Sequence, residues 1–379
     1  MRVAYIFNHP HIVGGGEISL IELMEAIRPL GVEPFALLPS QGEITERLKV
    51  LKIPCFINPM PSLKGLSLLH FPSVVGQMAK MFQQQDIHLA HSNGARCTLY
   101  AAEAARKAGI ACLWHVRVIE RDAVLDRIRG RRVAGIIANS RATAETLRPL
   151  IPRNRPVDVI YNGVSLSRIH QAPALDLRST FNLPGHPVLF VAARVTPEKG
   201  LDVLIEACAR MTHPHSVVVM GSTPMADYAD RLKQQSAALK NSRWIWSPPH
   251  PQFINLMKTA DLVAIPSRHE GFCRVIPEAW ACGIPILATR QGGPAELIHH
   301  EKDGWLTPSG NAVAMSQALD HLLQNPDLRQ RLSQAGSLRT QEFDLEHTAG
   351  QILEVYRKDC SRAVKDSRAS PIPTHIPCC

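Results

Sequence analysis

The sequence predicts an α/β protein made of two doubly wound domains in tandem. Three observations carry that expectation. Apolar runs of strand length alternate with amphipathic runs of helical length along most of the chain. The first of them, "RVAYIF", is apolar on both faces beyond its Arg, as a strand buried in a parallel sheet must be, and it leads through Gly14-Gly15-Gly16 into a helical pattern. The alternation lapses once, between about Ser165 and His186, where Pro173 and Pro184 mark a linker with Pro187 just beyond, and then it starts again.

In order, Arg2–Phe7 reads as a strand, the three glycines as a loop and "ISLIELMEAIRPLG" as a helix. The glycines fit a plain tight turn as well as a loop that lets a ligand approach the backbone. They are not GxGxxG, and no clear acidic residue ends the next strand, "VEPFALLP", so a dinucleotide fingerprint is poorly supported. "IHLAHSNG", "IACLWHVRV", "VAGIIANS" and "VDVIYNGV" read as further strands, the first and third followed by helical runs. Asn139-Ser140 and Asn162-Gly163 sit at strand ends, the latter as readily explained by a turn. The second half runs "PVLFVAARV", "SVVVMG", "SRWIWS", "DLVAIPS" and "PILAT" as strands, with helices between them and three more after Trp305. The expected boundaries are 1–165 for the first domain, 166–186 for the linker and 187–343 for the second domain. A helix over 344–359 is expected to return to the first domain, and a disordered tail to fill 360–379.

A chain of 379 residues with 45% hydrophobic content can bury two cores. The net charge of +9, from 42 basic and 33 acidic residues, favours anionic partners. Nucleic acid is a poor candidate, because aromatic residues are only 5% and no recognition motif appears. Nine scattered cysteines without a CxxC pair read as reduced cytosolic thiols, and Cys378-Cys379 is not a CaaX box. The first residues turn polar too soon for a signal peptide or a spanning helix, and no other stretch is long and apolar enough to cross a bilayer.

The stretch "SRHEGFCRVIPEAWACGIP", Ser267–Pro285, sets Glu270 and Glu278 in apolar surroundings. An ionised carboxylate is costly to bury alone, so either both reach solvent or polar groups come to meet them. Pro277 suits the first position of a helix, and Gly283 with Pro285 stops it. Glu270 then lies beyond a strand's carboxyl end and Glu278 in a helix's first turn, where open α/β sheets bind ligands. Singly, Glu270 fits an exposed loop carboxylate, and Glu278 a helix-dipole partner worth at most about 1 kcal/mol.

E-G-F with a second Glu seven residues beyond the first, followed by A-x-A-C-G-I-P, resembles the EX7E signature of retaining glycosyltransferases of family GT4. "ARVTPEKGLDVLIEA" resembles the family's phosphate site, and "GGPAELI" and "DGWLT" match two further recurring segments. The resemblance runs from Arg2 to about Arg357 and implies the GT-B fold, two Rossmann-like domains facing across a cleft. The first would take the acceptor and the second a nucleotide-sugar donor. It further implies that Glu278 accepts from the ribose hydroxyls and Glu270 contacts the transferred sugar. Arg194 and Lys199 would hold the diphosphate and stabilise it as it leaves. Gly271, Phe272, Cys273 and Arg274 would line the donor, their backbone N–H groups facing its phosphates. His115 would face the donor sugar, and Gly15 and Gly16 would approach the phosphates or the acceptor. Glu17 and Arg117 are the acceptor candidates, although Arg117 fits the surface equally well. Where the family often has Gly, this chain has Cys273, and where it often has Leu or a small residue, Arg274. These departures put the exact sugar pocket in question and hint at a charged or modified donor or acceptor.

The implied activity is hexosyl transfer with retention, from a UDP-sugar first, with no cofactor. No D-x-D occurs, and Arg194 and Lys199 can do the work of a metal, so metal-independent catalysis is expected. "PSLKGLSLLHFPSVVGQMAKMFQQQ", Pro61–Gln85, fits an amphipathic helix packed on the first domain, or a surface resting on anionic lipid. "RDAVLDRIRGRR", Arg121–Arg132, adds a basic cluster. A lipid-linked or cell-envelope glycan acceptor, such as lipopolysaccharide, capsule or exopolysaccharide, is expected, with the protein cytoplasmic and peripheral to the membrane. A sugar-nucleotide epimerase, a phosphorylase or a non-catalytic binder on the same fold are the alternatives. The binder would be marked by loss of Arg194, Lys199, Glu270 or Glu278, all of which are present.

Overall fold

The computed structural model describes residues 1–63 and 65–369. It contains two wholly parallel sheets. The first comprises β1 (Arg2–Phe7), β2 (Glu33–Leu38), β3 (Cys55–Ile57), β4 (Leu89–Asn93), β5 (Ala111–Val116), β6 (Gly135–Ala138) and β7 (Val157–Val159), in the order β3-β2-β1-β4-β5-β6-β7. The second comprises β8 (Val188–Ala192), β9 (His215–Met220), β10 (Ser242–Ser247), β11 (Leu262–Ile265), β12 (Ile286–Thr289) and β13 (Trp305–Thr307), in the order β10-β9-β8-β11-β12-β13. Helices cover both faces of each sheet, which is why the central strands are apolar on both sides: Val3–Phe7 and Val188–Val191 are essentially inaccessible to water. In each sheet the strand order reverses once, between β1 and β4 and between β8 and β11, and ligands of open α/β sheets bind at that reversal.

Three elements differ from expectation. The linker carries two short helices, Leu166–Gln171 and Leu177–Phe181. Asp176 caps the second, and its Leu177 is fully buried in the second domain's core, so this segment docks instead of hanging loose. The helix of the EX7E stretch spans Val275–Ala281 and places Pro277 at its third position. The N–H that proline lacks would have no intrahelical partner anywhere in a first turn, so proline does not mark the first residue. The final helix spans Leu345–Ala369, well past Asp359. Its Ile352, Leu353, Val355 and Tyr356 belong to the core of the first domain. Lys64 and the last part of the expected tail, 370–379 with Cys378-Cys379, lie outside the described residues.

Of the two surface expectations, the packed amphipathic helix is present and the basic cluster changes. A 3-10 turn over Gly65–His70 precedes the helix Phe71–Gln84, which buries Val74, Val75, Met78, Ala79 and Phe82 against the domain. Leu66 and Leu69 of the turn are 83% and 77% exposed. The basic cluster is largely neutralised: Arg129 is buried against Asp126, Arg121 also faces Asp126, and Arg132 pairs with Glu103.

Candidate active site

The residues that follow β8 and β11 meet at the reversal of the second sheet. Arg194 and Lys199 lie on the loop after β8, and Glu270 on the loop after β11. Lys199 Nζ donates to Glu270 Oε1 at 2.6 Å, and Ser267 Oγ donates to the same oxygen at 3.0 Å. Burial pushes the Lys199 ammonium down, but the Glu270 carboxylate outweighs it and holds the pKa above its ordinary value. Arg194 has only a 3.4 Å contact with Glu198 and keeps 38% of its side chain exposed. The site therefore presents one cation fixed by a carboxylate and a second open to a ligand.

The segment after Glu270 is held by close backbone packing. Gly293 N donates to Glu270 O at 3.0 Å, and a side chain on Gly293 would sit 2.6 Å from the carbonyl oxygens of Gly271 and Phe272. Gly292 has φ +54°, and a Cβ there would collide with Glu270 O, so both glycines of "GGPAELI" are required. Gly271 meets the first domain, near Arg117 O and Thr143 Oγ1. The Phe272 side chain does not line the donor space as expected. It is 2% exposed and packs against Tyr161 and Phe343, so only its backbone can face a ligand. Cys273 has φ +67°, the left-handed region that favours glycine, which accounts for the glycine expected there. Burial and then the Glu270 charge push its thiol well up.

Glu278 is buried and does not wait alone. Arg274 Nε donates to its Oε1 at 2.9 Å. Burial raises the Glu278 pKa, and Arg274 opposes that without cancelling it. The other two nitrogens of Arg274 cross to the helix Gly15–Ala26 of the first domain: Nη1 donates to Ser19 Oγ at 2.9 Å and Nη2 to Glu22 Oε2 at 2.8 Å. The arginine thus neither points away nor offers a free charge, and it does not by itself call for a charged donor. Gly15 leaves room beneath it: a Cβ there would lie 3.0 Å from Arg274 Cδ and would press the arginine away.

On the first domain, Glu17 is engaged by its own loop. Gly14 N donates to its Oε2 at 3.1 Å, closing the helix start, and His9 Nε2 lies 3.5 Å from its Oε1. The carboxylate expected for the acceptor is committed there. Arg117 is not a surface residue. Its Nε donates to Asn93 Oδ1 at 2.5 Å, Nη1 donates to Asn162 Oδ1, and Nη2 lies 3.2 Å from His115 Nδ1. Burial, with Arg274 adding to it against Glu17, lowers its pKa to about 9, so it stays protonated at neutral pH. Its side chain packs beneath Gly16, where a Cβ would lie 3.4 Å from Arg117 Cδ. His115 is 2% exposed. Its Nδ1 also lies 3.1 Å from His91 Nε2, while its Nε2 is buried with no partner.

Sequence reasoning passed over three contributors. His91 sits mid-strand beside His115, and Tyr356 reaches it from the final helix, with His91 Nδ1 and Tyr356 Oη 2.6 Å apart. Glu296, inside "GGPAELI", accepts from Arg141 N, Ala142 N and Tyr161 Oη, and so ties the second domain to a helix start of the first. Only the place of His91 inside the strand-like run "IHLAHSNG" was visible beforehand.

The sequence profile of the family described as "Glycosyl transferases group 1" matches residues 176–339, and that of "Glycosyltransferase Family 4" matches residues 13–168. A D-inositol 3-phosphate glycosyltransferase of Jonesia denitrificans is 30% identical over 243 residues, which are 59% of this chain and 57% of that protein. The chain thus spans little more than half the length of this relative. A phosphatidyl-myo-inositol mannosyltransferase of Mycobacterium leprae is 24% identical over 98% of this chain and 100% of its own. Among solved structures, Anabaena Alr3699/HepE in complex with UDP and glucose superposes with a TM-score of 0.83 at 23% identity, covering 94% of this chain and 100% of that one. That likeness establishes the two-domain GT-B architecture.

Proposed function

The chain belongs to glycosyltransferase family 4, and from that premise we propose that it transfers a hexosyl group, with retention, from a UDP-sugar to a glycan or lipid-linked acceptor of the cell envelope. The observation that carries this reading is the Lys199–Glu270 pair beside Arg194 at the reversal of the second sheet. A diphosphate brings the charge that Arg194 leaves unmatched. A sugar brings hydroxyls that can share Glu270 with Lys199. As the donor bond breaks, negative charge grows on the leaving phosphate, and Lys199, already fixed by Glu270, stabilises it without reorganising, while the more open Arg194 turns onto it. Glu278 takes the ribose hydroxyls while Arg274 Nε holds its Oε1. His115 faces the transferred sugar. The fold neighbour's UDP and glucose make uridine the first base to try.

With two cations positioned for the leaving group, catalysis proceeds without a metal, and a chelator leaves turnover unchanged. Among the described residues no helix is long and apolar enough to cross a membrane. Contact with an anionic bilayer runs through the exposed turn at Leu66 and Leu69. The deciding experiment is calorimetric titration of UDP-, GDP- and ADP-sugars into wild type and Glu278→Ala. Binding of one nucleotide series, weakened by the substitution, supports the reading. No binding at millimolar ligand removes it.

A further inference from the structure

Four buried rings form a chain that ends at His115. Tyr5 Oη and Tyr356 Oη are 3.2 Å apart, Tyr356 Oη and His91 Nδ1 2.6 Å, and His91 Nε2 and His115 Nδ1 3.1 Å. Arg117 Nη2 approaches the same His115 Nδ1 at 3.2 Å. A guanidinium can only donate. His115 Nδ1 must therefore accept, which puts the proton of the neutral ring on Nε2. His91 Nε2, facing an acceptor, must carry a proton too, so His91 Nδ1 accepts from the Tyr356 hydroxyl. Tyr356 has a single proton and two acceptors in reach, Tyr5 Oη at 3.2 Å and His91 Nδ1 at 2.6 Å, and the shorter bond to the imidazole takes it. One fixed donor orients the protons from His115 back to Tyr356.

Both imidazoles are neutral. Burial, with the Arg117 charge next to them, drives His91 down to about 3 and His115 well below its ordinary value. A protonated His115 would also turn an Nδ1–H towards a cation.

We infer that Tyr356, His91 and Arg117 are positioning residues that lock His115 as its Nε2–H tautomer, so that it offers the sugar a hydrogen-bond donor and cannot act as a base. The unpartnered, buried Nε2 is the atom that this arrangement makes a donor. An N–H left unsatisfied in the protein interior is a cost that is recovered when a hydroxyl or a developing oxyanion accepts from it. The role at the sugar rests on the glycosyl-transfer reading above. The tautomer itself does not.

The test uses the full chain with 15N-labelled histidine and long-range 15N–1H correlation, assigning signals by their loss in His91→Gln and His115→Gln. His91 and His115 should both show a protonated Nε2 and an unprotonated Nδ1 between about pH 6 and 8, where Arg117 is still charged. Arg117→Lys, which keeps a donor, should retain that signature, and Arg117→Met should lose it. Tyr356→Phe should blur the His91 signal and lower kcat on the order of 10- to 100-fold, the range for outer-shell partners of a functional histidine, with donor KM little changed. A proton on His115 Nδ1 in the wild type overturns the inference, as does a signature in Arg117→Met identical to the wild type. UDP titrated into the same sample separates the two proposals. Absence of UDP binding with the expected tautomers counts against the transferase reading alone.

Discussion

Arg274 of the second domain and Glu22 of the first are joined across the cleft by a 2.8 Å hydrogen-bonded ion pair. The same guanidinium holds Glu278, so the carboxylate proposed for the ribose is coupled to how the two domains meet.

Arg274→Met should therefore leave two carboxylates without their cation, Glu278 fully buried. Breaking one side of a buried pair costs about 3–5 kcal/mol. Urea denaturation should show a loss of that size, most of it recovered in Arg274→Met/Glu278→Gln. A single variant within about 1 kcal/mol of wild type would show that water or a neighbour replaces the arginine.

Lys199→Met should reduce turnover on the order of 10²–10³-fold, the effect of removing one preorganised stabiliser of the leaving oxyanion. Lys199→Arg should keep part of the activity, because a charge remains near Glu270. Sugar transfer, or hydrolysis of the donor without acceptor, gives the readout. A change below about threefold would leave Arg194 as the group that matters.

At position 273 the backbone dictates the order of variants. Its φ of +67° penalises any Cβ, so Cys273→Gly should be more stable than Cys273→Ala by about 1 kcal/mol. Paired thermal melts decide it, and equal stability would mean that the loop relaxes to negative φ once the sulfur is gone.

Acid should destabilise the fold through the paired histidines. His91 has its pKa lowered to about 3 in the folded chain, and His115 is lowered as well, whereas the unfolded rings titrate near about 6.5. Below that value the unfolded state binds more protons, so stability is complete above about pH 6.5 and falls as pH drops towards the folded values. At about pH 5.5 the loss is about 1.4 kcal/mol for each ring. His91→Gln should remove one titration and flatten the decline in Tm. An unchanged slope would mean that His91 is not buried neutral.

The strand rhythm and the seven-residue spacing of the two carboxylates were legible in the sequence, because periodicity and local order carry them. What met those carboxylates was not. Glu22 lies 252 residues from Arg274, and Tyr356 lies 265 from His91, and no local pattern encodes such partners. Phe272 misleads for a related reason: a motif residue beside a catalytic candidate can belong to the core, here through packing on Tyr161 and Phe343, which lie far from it in the sequence. Glu17 shows the reverse, a carboxylate next to a glycine loop whose first duty is to close a helix.

The final helix gives the chain an order of assembly. Tyr356 and its neighbours fill the core of the domain that is synthesised first. During translation that domain stays open on one side until Leu345–Ala369 has left the ribosome, although its whole sheet emerged almost two hundred residues earlier. A nascent chain halted before this helix would expose apolar surface around Tyr5 and Leu113, a surface for chaperones to cover. The two halves of the molecule would finish folding almost together, so that neither the histidine chain nor the arginine bridge exists before the other.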